Sequence, residues 1–136
     1  MIEPNLDSLR TFLHLLASAV WVGGQIVLGG LVSRVRKTNP EALKTIANGF
    51  ARVAWPALGV TVITGMWGIL DIDVSALDSS YHVTLAMKIV VVMLAGFAAA
   101  AHARTKSKIV RVLGGATALV ASFGALYLGV LLSSAS

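Results

Sequence analysis

The stretch TFLHLLASAVWVGGQIVLGGLVS, Thr11–Ser33, runs from Arg10 to Arg34 without a single Asp, Glu, Lys or Arg. A helix rises about 1.5 Å per residue, so about 20 mostly apolar residues cross the hydrocarbon core of a bilayer, and this stretch is long enough. Cutting the rest of the chain at its charges yields three more such segments. Val53–Leu70 lies between Arg52 and Asp71, Tyr81–Ala103 is interrupted only by Lys88 and the histidines, and the last segment follows Arg111 and reaches Leu132. The reading is an all-α integral membrane bundle of four transmembrane helices, a single domain over residues 1–136. An even number of spans places both termini on one side.

Composition agrees with this reading and removes other classes. Of 136 residues, 57% are hydrophobic and 12% charged, with a mean hydropathy of +0.84, whereas soluble domains carry about 25% charged residues. The surplus of apolar surface must face lipid. The absence of cysteine excludes a disulfide framework, a zinc finger and thiolate catalysis, so any metal must sit on His, Met or carboxylate. In a soluble protein the net charge of +5 would suggest nucleic acid, but here the cations fall in short clusters between apolar spans.

Those clusters set the expected orientation. Arg34, Arg36, Lys37, Lys44 and Arg52 lie between the first two spans, and Arg104, Lys106, Lys108 and Arg111 between the last two. Cytoplasmic loops take the excess of Lys and Arg. Both termini and the loop of Asp71, Asp73 and Asp78 are therefore predicted on the outer side of a cell's inner (plasma) membrane, in a multi-pass chain. Asn39, Pro40 and Glu41 resemble the cap and first turn of the second helix, Pro56 predicts a kink in it, and Asp78, Ser79 and Ser80 offer a cap for the third. Gly23, Gly24, Gly29 and Gly30 mark the first segment, Thr61, Gly65 and Gly68 share a face of the second, and Gly115, Ser122 and Gly129 share a face of the fourth. Small residues let helix backbones approach closely in lipid, so these faces are read as packing surfaces.

The few polar residues inside the spans carry the functional reading, because an ionisable group there costs roughly 2.5–3.5 kcal/mol even on lenient scales. Lys88 has two readings: a side chain snorkelling to the outer headgroups, or an inward cation that binds an anionic group. His14 lies just inside Arg10, and it reads either as an interfacial hydrogen-bonded residue or as an inward imidazole able to ligate haem iron or copper. Trp21 follows on nearly the same face, with Ala17, Ser18 and Gln25 around it. Counting inward from the outer boundary, His14, Met66, Lys88 and Tyr127 share a layer, with Tyr81 and His82 at its rim. Histidine with thioether suits copper, and histidine with a second strong donor suits haem. The cofactor-binding candidates are His14, Lys88, Trp21, Tyr81 and His82; the metal candidates are His14, Met66 and His82. His102, two residues from Arg104, reads as an interfacial residue, with a second, inner site on the stripe of Tyr81, Lys88 and Ala95 as the less favoured alternative. No nucleotide loop, nucleophile elbow or His-Glu-x-x-His motif occurs.

The segment His14-Leu-Leu-Ala-Ser-Ala-Val-Trp21-Val-Gly23-Gly24 resembles the first helix of the copper-resistance protein D (CopD) family. Trp55-Pro56 through Thr64-Gly65 is similar to its second helix and Leu85-Ala-Met-Lys88-Ile to its third. The layout also resembles the small HemJ-type protoporphyrinogen oxidases. The first resemblance implies copper transport or tolerance with a periplasmic copper-binding partner, or a b-type haem redox module. The second implies haem-dependent porphyrinogen oxidation, with His14 and Lys88 matching its first-helix histidine and third-helix lysine. The arginine expected soon after the tryptophan has no counterpart before Arg34, and His102 lies about a turn beyond the expected third-helix histidine. Three functions follow as expectations: a membrane metal- or haem-handling protein with an outer-leaflet site around His14, with a redox partner or a second copy of itself; a haem enzyme; or a non-catalytic helical subunit of a larger complex.

Overall fold

The computed structural model describes residues 1–135. Four helices account for nearly all of them: α1 (Leu6–Thr38), α2 (Ala42–Leu70), α3 (Ser79–Arg104) and α4 (Lys108–Ser134), with one 3-10 turn at Val74–Ala76 and no strand among the described residues. All four are long and apolar enough to cross a membrane. The chain divides into two compact units, Met1–Ile72 and the part from Asp73 onward. Each is a helical hairpin: α1 packs on α2, and α3 on α4.

The helices outrun the apolar segments that predicted them. Asn5 starts α1 well before Thr11, because its side chain accepts from Ser8 N at 2.7 Å while Ser8 Oγ accepts from Asn5 N at 3.0 Å, a reciprocal capping box. At the other end α1 continues through Arg34, Arg36 and Lys37, whose charges suit the negative end of the helix dipole. Asn39 closes α1 instead of capping α2: its N–H donates to Val35 O at 2.8 Å, and the N-cap of α2 is Glu41. Helix α2 is unbroken across Pro56, which lies inside it. Asp78 takes the N-cap position of α3 with extended backbone and without a side-chain cap bond, and Ser107 Oγ caps α4.

Burial is inverted relative to a soluble protein. The buried apolar residues are mostly small, among them Ala17, Ala54, Ala95, Ala118 and Ala121, while Phe12, Leu15, Leu16, Ile63, Val90, Phe97 and Val120 stand exposed. Leaving each such side chain in water forgoes about 1.5–3 kcal/mol. Lipid removes that penalty. In lipid the association of helices depends on close van der Waals packing and on hydrogen bonds between them. Small inside and large outside is the pattern this physics requires.

Within each hairpin the contacts run antiparallel. In the first, Arg10 meets Gly68, His14 meets Gly65 and Thr64, Trp21 meets Trp55, and Gly24 meets Phe50. In the second, Lys88 meets Gly129, Val91 meets Gly124, and His102 meets Gly114 and Gly115. The predicted faces of α2 and α4 are contact faces that receive side chains at Gly65, Gly68, Gly115 and Gly129, whereas in α1 only Gly24 meets a neighbour and Gly23, Gly29 and Gly30 have nothing within 4 Å. Only Gly114 brings backbones together: a Cβ there would stand 3.0 Å from Ala98 O and 3.2 Å from His102 N.

Candidate functional site in the first hairpin

His14 is half-buried on α1, and its imidazole turns toward α2 within the hairpin. Its Nδ1 lies 2.9 Å from Oγ1 of Thr64, a residue only 4% exposed. The ring passes over Gly65, where a Cβ would stand 3.4 Å from Cε1, an ordinary contact distance. Glycine at 65 therefore leaves the ring room to lie against the α2 backbone, and alanine would only just fill the gap. Thr64 also donates to the backbone of its own helix, to Val60 O at 2.6 Å. Threonine back-bonding of this kind satisfies the hydroxyl proton without leaving the helix.

One turn outward, Arg10 occupies the same side of α1. Its guanidinium rests over Gly68, with Nη2 3.0 Å from Asp7 and Nε 3.9 Å from Oδ2 of Asp71. The Nε is buried and has no hydrogen-bond partner, so its pairing with Asp71 is Coulombic, without a directed hydrogen bond. Two turns inward from His14, Trp21 is buried, with its ring centroid 5.7 Å from that of Trp55 and tilted by 59°. Tilted arrangements suit the aromatic quadrupoles. The Trp21 carbonyl accepts from Gln25 Nε2 at 3.2 Å. Guanidinium, imidazole and indole thus follow one another down α1 against α2. Met66 takes no part in this row. It stands 59% exposed on α2, beside Gly65 in sequence but off the contact face.

The second hairpin holds the other candidates. The Lys88 ammonium lies across α4, where a Cβ on Gly129 would come within 3.1 Å of Nζ. No carboxylate or hydroxyl partners it among the described residues. Tyr81 is half-buried in the first turn of α3. His82 bonds back to its own helix start, Nδ1 donating to Asp78 O at 2.9 Å. His102 donates through Nδ1 to Arg111 O at 2.6 Å and fills the space left by Gly115. Tyr127 is exposed.

The acidic residues have local work. Asp71 faces Arg10, and Asp73 accepts from Ser75 N at 3.1 Å and Ser75 Oγ at 2.5 Å to close the 3-10 turn. No group of three or more His, Asp or Glu able to hold a metal ion occurs among the described residues. Sequence reasoning missed Thr64, Arg10 and Trp55 as members of the His14 row. The signal was present: Thr64 adjoins Gly65, Trp55 adjoins Pro56, and Arg10 precedes His14 by one helical turn, the spacing that aligns side chains on one face.

No protein-family model, no curated protein and no solved structure matches this chain.

Proposed function

We propose that this chain is a membrane-embedded, haem-handling redox protein of the CopD-like type, with His14 as the ligating side chain. The observation that carries the reading is the His14 imidazole, held within an apolar span by a hydrogen bond to buried Thr64 over the notch at Gly65. A hydrogen bond to the ring nitrogen opposite the ligating one is the usual support for a metal-bound histidine.

The donor set favours haem over resident copper. Copper held by protein alone asks for several N and S donors, yet Met66 stands off the His14 face and no cluster of metal-ligating side chains surrounds the imidazole among the described residues. Haem needs one or two axial ligands, because the porphyrin supplies the rest. When bound, haem b would supply one-electron chemistry. His14 would bind it, Thr64 would orient that ring, and the paired indoles of Trp21 and Trp55 would keep the span dry below. Lys88, in the second hairpin, has no carboxylate partner among the described residues and offers its ammonium to an anionic group. The open ends of the hairpins face outward and the basic turns face the cytoplasm of a plasma membrane, following the distribution of Lys and Arg.

Haem titration of the detergent-purified protein, with metal analysis alongside, tests the reading. The expected result is a stoichiometric Soret band that His14→Ala abolishes. A colourless wild-type protein, or a Soret band that survives His14→Ala, overturns it; stoichiometric copper without haem returns the chain to the copper reading.

A further inference from the structure

Thr64 Oγ1 has one proton and two kinds of neighbour. It lies 2.6 Å from Val60 O and 3.2 Å from Thr61 O, both backbone carbonyls, and 2.9 Å from His14 Nδ1. A carbonyl oxygen can only accept, and an O···O separation of 2.6 Å requires a proton between the atoms. The hydroxyl proton of Thr64 is therefore committed to the backbone of α2. Toward His14 the oxygen presents a lone pair.

We propose that Thr64 is the positioning residue of the His14 site: it accepts a hydrogen bond from Nδ1 and so fixes the neutral imidazole with its proton on Nδ1 and its lone pair on Nε2. This rests on the reading of His14 as the ligating residue and adds which nitrogen does it. With its single proton on Nδ1 a neutral imidazole keeps its ligating lone pair on Nε2. The α2 backbone acts here as a proton acceptor at one remove, relayed through a hydroxyl that stays in place because it is bonded to its own helix. Burial strengthens the effect, since the buried oxygen has little water to substitute for the imidazole. The other two histidines show the same polarity by a more direct route, with Nδ1 donating to the Asp78 and Arg111 carbonyls.

Nitrogen NMR of the ligand-free protein, labelled at histidine and reconstituted in lipid in mildly alkaline buffer, reads the tautomer without any cofactor. His14 is assigned as the signal lost in His14→Gln. The wild type should show His14 protonated at Nδ1 and bare at Nε2. Thr64→Val should lose that preference, and Thr64→Ser, which keeps the hydroxyl, should restore it. In haem titrations Thr64→Val should weaken binding about 10–100-fold, the usual effect of removing a ligand's outer hydrogen-bond partner, while Thr64→Ser should bind like wild type. A wild-type His14 protonated at Nε2 or at both nitrogens overturns the proposal, as does a Thr64→Val protein with an unchanged tautomer. A chain that shows the Nδ1–H form and takes up no haem upholds the role of Thr64 and overturns the haem reading alone.

Discussion

His14 and Thr64 meet across the first hairpin, Nδ1 to Oγ1 at 2.9 Å, and Thr64 shares with Ala54 the distinction of being buried on α2. The pair is unequal. Thr64 keeps its bond to Val60 O if the imidazole is removed, so His14→Leu does not orphan the Thr64 hydroxyl. Interhelical hydrogen bonds in membranes are worth about 0.6 kcal/mol on average, and His14→Leu should lower stability by about that amount in reversible detergent unfolding. Loss of ligand binding in this variant is then chemical. A loss of more than about 3 kcal/mol, the scale of a core cavity, would make His14 a structural residue first.

Glycines should divide into two groups by what they face. Gly114→Ala would press a methyl on Ala98 O and His102 N, backbone atoms that cannot rotate away, and should destabilise the second hairpin by about 1–3 kcal/mol. A methyl added at Gly59 would meet nothing within 4 Å beyond its own chain neighbours and helix backbone. Gly59→Ala should be neutral or stabilise by up to about 1 kcal/mol through helix propensity. Equal effects at the two sites, in the same unfolding assay, would refute this packing scheme.

Arg10 and Asp71 should couple weakly. Their side chains are 21% and 48% exposed and the contact is 3.9 Å, so a double-mutant cycle of Arg10→Met and Asp71→Asn should give about 0.2–1 kcal/mol. In a Gly68→Leu background, where the new side chain takes the seat of the guanidinium, the coupling should vanish. Coupling that persists there would place the pair elsewhere.

Lys88 should trade stability for binding. Its ammonium has no counter-charge among the described residues, and a charge in a span costs about 2.5–3.5 kcal/mol on insertion scales. Lys88→Met should therefore be more stable than wild type while retaining an anionic cofactor less well. A variant that is less stable, with unchanged retention, would assign Lys88 a purely structural contact.

Orientation can be read directly, because the natural chain has no cysteine to remove. In intact cells Ser79→Cys should react with an impermeant thiol reagent and Thr105→Cys should not. The reverse pattern would invert the proposed topology.

The four helices were legible because each apolar segment is longer than a soluble core needs and is bounded by charges. Their ends were less so. Asn39 satisfies the N-cap pattern for α2 on paper, yet its N–H closes α1 on Val35, since a short turn offers one residue to two helix ends and backbone geometry decides between them. Helix α1 likewise starts at Leu6, where the Asn5–Ser8 capping box outweighs the boundary drawn at Arg10.

The contacts of the first hairpin were legible by half. His14 and Trp21 announce themselves as a histidine and an aromatic spaced along one face of an apolar helix. Gly65 and Gly68 were legible as a face, but periodicity shows only that small residues align, and it took the α1–α2 register to show that the space they leave is filled by an imidazole and a guanidinium. Met66 was legible as a candidate by depth alone. Depth fixes height along a helix and leaves rotation open, and Met66 stands 59% exposed on α2.

Hydropathy and charge, read along the chain, already dictate that this protein is helical, that its four helices can cross a bilayer, and where its cations cluster, because both act on each segment separately. That Thr64 stands opposite His14 and takes its hydrogen bond from Nδ1 emerges only from the folded hairpin. The contact joins residues fifty positions apart, through an antiparallel register that no local pattern encodes, and hydrogen bonds act only at contact.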